Sequence, residues 1–480
     1  MTGVNMKRWT ILLFMAADND LDRFAVKDLH EMELVGSTDQ VDLIVQVDRY
    51  GDGTRGPALR GPIIKDPNWQ PYDFRFISPL NEIGETNTGD PSVLQAFIEW
   101  GVLNHPAERY ALVIWNHGSG WKPEFIYEQA EEVAGERLAR AMRHVDLADR
   151  YKRRLQRILF RKNAKEVVTD FIGRTLVPLI AAPERRFLVG RDALLTSLQR
   201  SSARPPMLSL RERDRNELDR ELELLVDRAI GLDETSQHDA LDSIELKNAL
   251  VGAINHIAQS RGTPFKFDIL GFDACLMAGL EVAFQVRNLS SFVVASEEIE
   301  PAIGWRYDLL VNSIAAADGN ISARDLSSAM VASYIEGMRD YRIRLVTQSA
   351  IDMEQIEGLA MALGSLGELI SEMIAPEYIL LAKSEKNATR FYDTDFLDLG
   401  HFATILKDHK NDQRIENFLN ALQHSVISSE FLFGRERQKP TGLSVYFPTK
   451  PIYDGAYASL DLTNQISGWS DAIKQYHFLS

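Results

Sequence analysis

Two short stretches of this 480-residue sequence carry side chains suited to covalent chemistry. In FDILGFDACLMAGL, residues 267–280, the only cysteine of the chain, Cys275, follows an apolar run with Asp273 two positions ahead of it. A cysteine used for packing belongs inside such a run, where it behaves as a small hydrophobe; this one stands at the edge. In RYALVIWNHG, His117 holds the matching place beyond a second apolar run. A thiol of ordinary pKa, about 8.5, is only a few per cent thiolate at neutral pH, and a neighbouring imidazole takes up and returns its proton. Attack on a carbonyl then creates an oxyanion, for which the backbone N–H groups of Gly118 and Cys275 are candidate donors. The chemistry is acyl transfer, which for a peptide substrate is proteolysis. Taken singly, a cysteine or a histidine near a turn is more often structural than catalytic.

Positioning the two requires strands that end on a common rim. WTILLFMAA, VDLIVQVD, RYALVIW, FKFDILGF and SFVVASEE read as buried strands, and LDRFAVKDLHEMELV, DPSVLQAFIEWGVL and LDSIELKNALVGAINHIAQS have helical spacing. Asp90 and Pro91 supply an N-cap and a first helical residue. Strands alternating with amphipathic helices predict an α/β fold with a mostly parallel sheet covered on both faces. Ligands of such sheets bind outside the carboxyl ends of the strands, where His117 and Cys275 would both lie. The expected organisation is residues 1–121 as a first half, a helical insertion over 122–238, a second half over 239–318, and a C-terminal subdomain over 319–480, with a late strand, GLSVYFP, that closes either the main sheet or that subdomain.

The insertion divides the chain electrostatically. The net charge is −16, yet residues 137–204 carry 17 Lys and Arg against 6 Asp and Glu. Three readings of that basic segment stand open: a solvated helical subdomain, an activation segment cut among Arg137, Arg140, Arg143, Arg150, Arg153, Arg154 and Arg157, or a docking surface for an acidic partner or nucleic acid, whose binding would weaken steeply with salt. Interleaved aromatics are sparse there, which counts against single-strand stacking.

The two blocks resemble those of the caspase and gingipain clan of cysteine peptidases, and their surroundings resemble the clostripain family within it. WTILLFMAADNDLD, VQVDRY, GETNTGDPSVLQAFIEW, YALVIWNHGSGW, DILGFDACLMAGLEVA, ASEEIEPAIGWRYD, FYDTDFLDLGHFA and GLSVYFP occur in family order across roughly residues 8–121 and 239–460. The resemblance implies a caspase-like α/β/α sandwich, Cys275 as nucleophile and His117 as general base and acid, working as a dyad without an obligatory third acid. It implies that Asp273 lines a pocket for Arg or Lys before the scissile bond, a cap of the cysteine turn being the alternative reading, and that Trp305 and Asp308 belong to the substrate loop; Glu297 and Glu298 are candidates for further acidic lining or equally a solvated strand end. One departure bears on specificity: members commonly carry an acid after the Gly-Trp of the substrate loop, where this chain has Arg306. A non-catalytic or partner-activated module on the same fold is the rival reading, with the insertion as its working surface.

Asp18, Asp20 and Asp22 alternate like the start of a calcium loop, but Arg23 and Leu29 stand where an EF-hand needs Gly and Glu, so a helix cap is the expected role. Some clostripain relatives use calcium, which makes an accessory ion possible; no required cofactor is expected, there being no HExxH pair, cysteine zinc cluster or phosphate loop. One cysteine forms no internal disulfide, the N-terminal apolar run reads as a strand rather than a signal peptide, and no apolar run is long enough to span a membrane. A cytoplasmic location is the expectation.

Overall fold

The computed structural model describes residues 6–50, 56–70, 76–122, 230–233, 235–236, 239–432, 439–449 and 454–478. The chain forms two units. The first comprises Met1–Trp69, Arg75–Pro123 and Ala229–Ser480, and the second, Gln70–Phe74 with Glu124–Arg228, lies outside the described residues apart from Gln70. The helical insertion expected over 122–238 therefore falls outside them too, except at its ends.

The first unit is built on β1 (Lys7–Ala17), α1 (Asp22–Met32), β2 (Val41–Arg49), β3 (Leu59–Pro62), β4 (Asn81–Glu82), α2 (Pro91–Asn104), β5 (Ala107–Trp115), β6 (Ile230–Asp233), β7 (Asp239–Leu241), β8 (Phe267–Asp273), β9 (Ser290–Ala295), β10 (Val346–Asp352), β11 (Phe396–Asp398), β12 (Val426–Leu432) and β13 (Ser444–Tyr446), with further helices between. Nine strands form one sheet in the order β12-β10-β9-β8-β5-β1-β2-β3-β4. Its centre, β9-β8-β5-β1-β2, is parallel, and both margins are antiparallel.

The central strands are apolar on both faces because helices cover both. Leu12 and Phe14 of β1, Leu112 and Ile114 of β5 and Leu270 and Phe272 of β8 alternate into one core with Leu94, Phe97 and Ile98 of α2 and with Leu246 and Leu250 of the helix Ser243–Arg261. On the other side α1 meets the helix Tyr307–Ala316, which meets Ala323–Asp340. This is the expected sandwich. Asp90 caps α2 by accepting from the Ser92 N–H at 2.8 Å, with Pro91 in its first turn.

Three sequence-based expectations change. The stretch from 319 onward contributes β10 and β12 to the main sheet and so is not set apart as a subdomain. GLSVYFP supplies β13, which pairs with β11 in a separate two-stranded sheet. Residues 230–233, at the end of the expected helical insertion, form strand β6 paired with β7.

Candidate active site

β5 and β8 are parallel neighbours, with Trp115 opposite Asp273. His117 and Cys275 each lie two residues beyond those partners, so the register alone brings the two turns to one point on the sheet rim. The Asn116 N–H donates to the Asp273 carbonyl at 3.2 Å. Gly118 seats one turn on the other: a Cβ there would fall 2.2 Å from the Cys275 carbonyl oxygen and 2.8 Å from its nitrogen.

The cysteine turn is strained and braced. Leu276 adopts φ +63°, a left-handed conformation rare for a bulky residue. Its N–H donates to the Glu298 carbonyl at 3.2 Å, and the Ala278 N–H to the Ser296 carbonyl at 2.8 Å. The sulfur accepts the Glu300 N–H at 3.2 Å, a donor that favours thiolate, and the thiol in turn reaches the Glu300 carbonyl at 3.6 Å. Cys275 is 5% exposed and His117 2%.

His117 has an acidic partner absent from the sequence-based expectation: its Nε2 lies 2.8 Å from Asp20 Oδ1. The three alternating aspartates do not cap α1, whose N-cap residue is Leu21 without a side-chain bond. They diverge instead. Asp18 accepts the Thr235 hydroxyl, Asp20 meets His117, and Asp22 takes the Arg49 guanidinium at 2.7 and 3.0 Å. The chain leaves β1 in a turn that each of these carboxylates ties to a different neighbour.

Beside the cysteine turn lies an acidic cluster. The Asp273 carboxylate accepts the Trp305 N–H at 3.1 Å and the Tyr307 hydroxyl at 2.6 Å. Burial pushes Asp273 up to about 6, those two donors only partly offsetting it. Glu300 lies beside it, its carboxylate accepting the Trp305 indole N–H at 2.9 Å, and burial together with the Asp273 charge holds it well above the usual carboxylate range. Gly271 of β8 leaves room for the Trp305 ring, which approaches to 3.0 Å of where a Cβ would be. Asp28 accepts the Trp115 indole N–H at 2.9 Å and pairs with Lys27 at 3.2 Å.

The remaining expected lining residues are committed elsewhere. Glu297 accepts the Gly442 N–H at 3.0 Å beside Asp398, and Glu298 accepts the N–H groups of Ile299 and Tyr392 at 3.0 and 2.9 Å. Asp308 is gripped by Arg306 through two bonds of 2.8 Å. Arg306 also approaches Glu31 and Asp340 at 3.8 Å, so its charge is matched by acids of the chain itself. The structure thus brings together His117, Gly118, Cys275, Asp273 and Trp305, and assigns Glu297, Glu298 and Asp308 to the framework. Sequence reading missed Asp20, Asp28, Glu300 and Tyr307; the signal for Asp20 and Glu300 was their place just beyond the carboxyl ends of β1 and β9. Among the described residues no group of three or more His, Cys, Asp or Glu side chains is placed to hold a metal ion.

The sequence pattern of the clostripain family matches residues 13–133 and 217–477, most of the chain. The chain belongs to the clostripain family. Clostripain of Hathewaya histolytica is 30% identical over 146 residues, 28% of this chain and 26% of that protein, so the match spans about a quarter of its length. Two solved structures share the fold of this family member. A secreted C11 cysteine protease from Bacteroides thetaiotaomicron, in complex with an irreversible peptide inhibitor, superimposes with a TM-score of 0.56 at 15% identity, covering 97% of this chain and 99% of that one. An inactive zymogen C11 protease from Parabacteroides distasonis gives 0.55 at 14% identity, covering 96% and 98%.

These relatives correct one expectation. The cytoplasmic location drawn from a single cysteine does not stand, since a protein of the same architecture is secreted. One thiol without a disulfide partner needs no oxidising compartment and is not excluded from one. Among the described residues no helix is long and apolar enough to cross a membrane.

Proposed function

We propose that this clostripain-family chain is a cysteine endopeptidase that cleaves after Arg or Lys. The observation that carries the reading is the β5/β8 register, which sets His117 and Cys275 at equal distance past paired residues, with Gly118 against the cysteine backbone. His117 takes the thiol proton, and the sulfur bonds to the substrate carbonyl carbon, whose oxygen gains the charge. The N–H groups of Gly118 and Cys275 are the proposed oxyanion donors. Collapse breaks the carbon–nitrogen bond, and the leaving amine receives the proton from His117. Water then gives a proton to His117 and attacks the thioester, which releases the acid and returns the thiol. None of these proposed steps uses a cofactor. Accessory calcium is proposed only as a stabiliser, so a chelator should leave turnover unchanged.

Asp273, with Glu300 beside it, is proposed to receive the basic side chain. A guanidinium or ammonium entering there meets one carboxylate held by two donors and, beside it, a second whose affinity for a proton is raised by burial and the Asp273 charge, which a cation would relieve. Arg306, matched by Asp308, Glu31 and Asp340, does not oppose it. The substrates are proteins or peptides, and the basic segment 122–238 is a proposed site of self-cleavage.

A fluorogenic peptide panel varied before the scissile bond tests the reading on wild type, Cys275→Ala and Asp273→Asn. Turnover of Arg or Lys peptides should vanish in the first variant and lose its preference for basic residues in the second. Turnover surviving Cys275→Ala would end the peptidase reading, and an unchanged preference in Asp273→Asn would end the pocket assignment. Self-cleavage predicts two fragments from wild type, with the cut inside 122–238, and an intact Cys275→Ala chain.

A further inference from the structure

We infer that Asp20 is a positioning residue for His117, making the catalytic pair a triad in the order Asp20, His117, Cys275. The inference rests on the peptidase reading and extends it to the state of the imidazole ring. Asp20 Oδ1 lies 2.8 Å from Nε2, and the two side chains are 7% and 2% exposed, so neither is a surface ion pair that solvent would screen. The turn that presents Asp20 is fixed by its neighbour. Asn19 accepts the Leu21 N–H at 2.9 Å and donates to the Ala16 and Leu232 carbonyls at 3.0 and 2.9 Å, while Asn116, next to His117, accepts the Leu232 N–H at 3.2 Å and donates to the same Ala16 carbonyl. The turns that carry the acid and the imidazole thus share one acceptor, the Ala16 carbonyl, and hold Leu232 by its carbonyl and its N–H respectively.

The chemical consequence follows from donor counting. A carboxylate only accepts, so the neutral ring facing Asp20 carries its proton on Nε2, and Nδ1 is left with a lone pair. That nitrogen is the one available to take the proton of Cys275. When it does, the imidazolium lies against a fixed negative charge with little water to compete, which holds it in place until the leaving amine arrives.

The decisive measurement needs no substrate. In wild type selectively labelled with ¹⁵N-histidine, with the His117 signals assigned by difference against His117→Ala, the neutral ring should show the proton on Nε2; a neutral ring protonated on Nδ1 overturns the inference whatever the activity. The kinetic arm uses Asp20→Asn and Asp20→Glu. Asn keeps the shape but can offer its amide N–H to Nε2 and lock the wrong tautomer. It should lower kcat for a Lys peptide by about 10- to 100-fold with KM nearly unchanged, and Glu should restore part of the loss. Asp20→Asn protein with a wild-type melting curve and kcat within about twofold of wild type would overturn the assignment. Absence of turnover in the wild type would count against the peptidase reading alone, because the ring measurement stands without it.

Discussion

At the scale of the residue, the site depends on how closely two turns approach. A methyl group at Gly118 would meet backbone atoms of Cys275 rather than the end of a flexible side chain, so the turns themselves must separate. Gly118→Ala should therefore lower kcat/KM by about 100-fold, the cost of a displacement near 1 Å in a reacting pair, while the thermal melt still reports a folded protein. Arg306 makes the opposite prediction. Its charge is matched by Asp308, Glu31 and Asp340, so Arg306→Ala should change the preference for Arg and Lys peptides by less than about threefold. A large gain toward basic peptides would place Arg306 in the pocket after all. His117, Cys275 and Asp273 were legible because each ends an apolar run. Asp20 was not, because its partner is 97 positions away and an aspartate before a helix equally suits a cap. Glu297 and Glu298 misled for a similar reason: they stand only three and two positions before Glu300 in the chain, but their carboxylates accept the N–H groups of Gly442 and Tyr392.

At the scale of the element, the central strands were readable as unbroken apolar runs and β10 was not. Its sequence, VTQSAID, is rich in polar side chains, yet Thr347, Gln348 and Ser349 are all buried. Each has a task that an apolar residue could not perform. The Thr347 hydroxyl accepts the N–H groups of both Glu297 and Glu298 at 2.9 and 3.0 Å, Gln348 donates to Glu300 at 3.3 Å, and Ser349 donates to the Gly442 carbonyl at 2.7 Å. The Thr347 and Gln348 bonds hold the segment after β9, which in turn braces the cysteine turn through the Glu298 and Ser296 carbonyls. Thr347→Val keeps the shape but takes the acceptor from the buried Glu297 N–H and leaves the Glu298 N–H with the Ser296 hydroxyl alone, so it should destabilise the fold by about 1–3 kcal/mol in urea titration and lower kcat with it. Unchanged stability would mean that those donors find other partners. Periodicity could not find β10, because polar residues satisfied inside a sheet look the same in sequence as polar residues outside one.

At the scale of the whole molecule, the described fold buries an unusual load of acid. Burial pushes Asp18 to about 7, Glu31 to about 7, Asp48 to about 8 and Glu281 to about 7, besides Asp273. In the unfolded chain such groups release their protons near pH 4. Between about 4 and 8 the folded chain therefore holds protons that the unfolded chain has lost, and stability must fall as pH rises through that window. The melting temperature should drop by about 5 °C or more from pH 5 to pH 8, and a rise over that range would show that these carboxylates are ionised in the native state. The overall sandwich was legible because alternating strands and helices admit few arrangements. The separate C-terminal subdomain was a misreading, since chain order does not reveal that β10 and β12 extend the same sheet.

That sheet order has a last consequence. In the nine-stranded sheet the strands before residue 123 form one side, β5-β1-β2-β3-β4, and those after 229 form the other, β12-β10-β9-β8. The boundary between them is the β5/β8 ladder, and the imidazole belongs to one side of it while the sulfur belongs to the other. A single nick between those points would leave a two-chain enzyme zipped along its own reaction centre, and two inert polypeptides made apart would gain activity only by complementation.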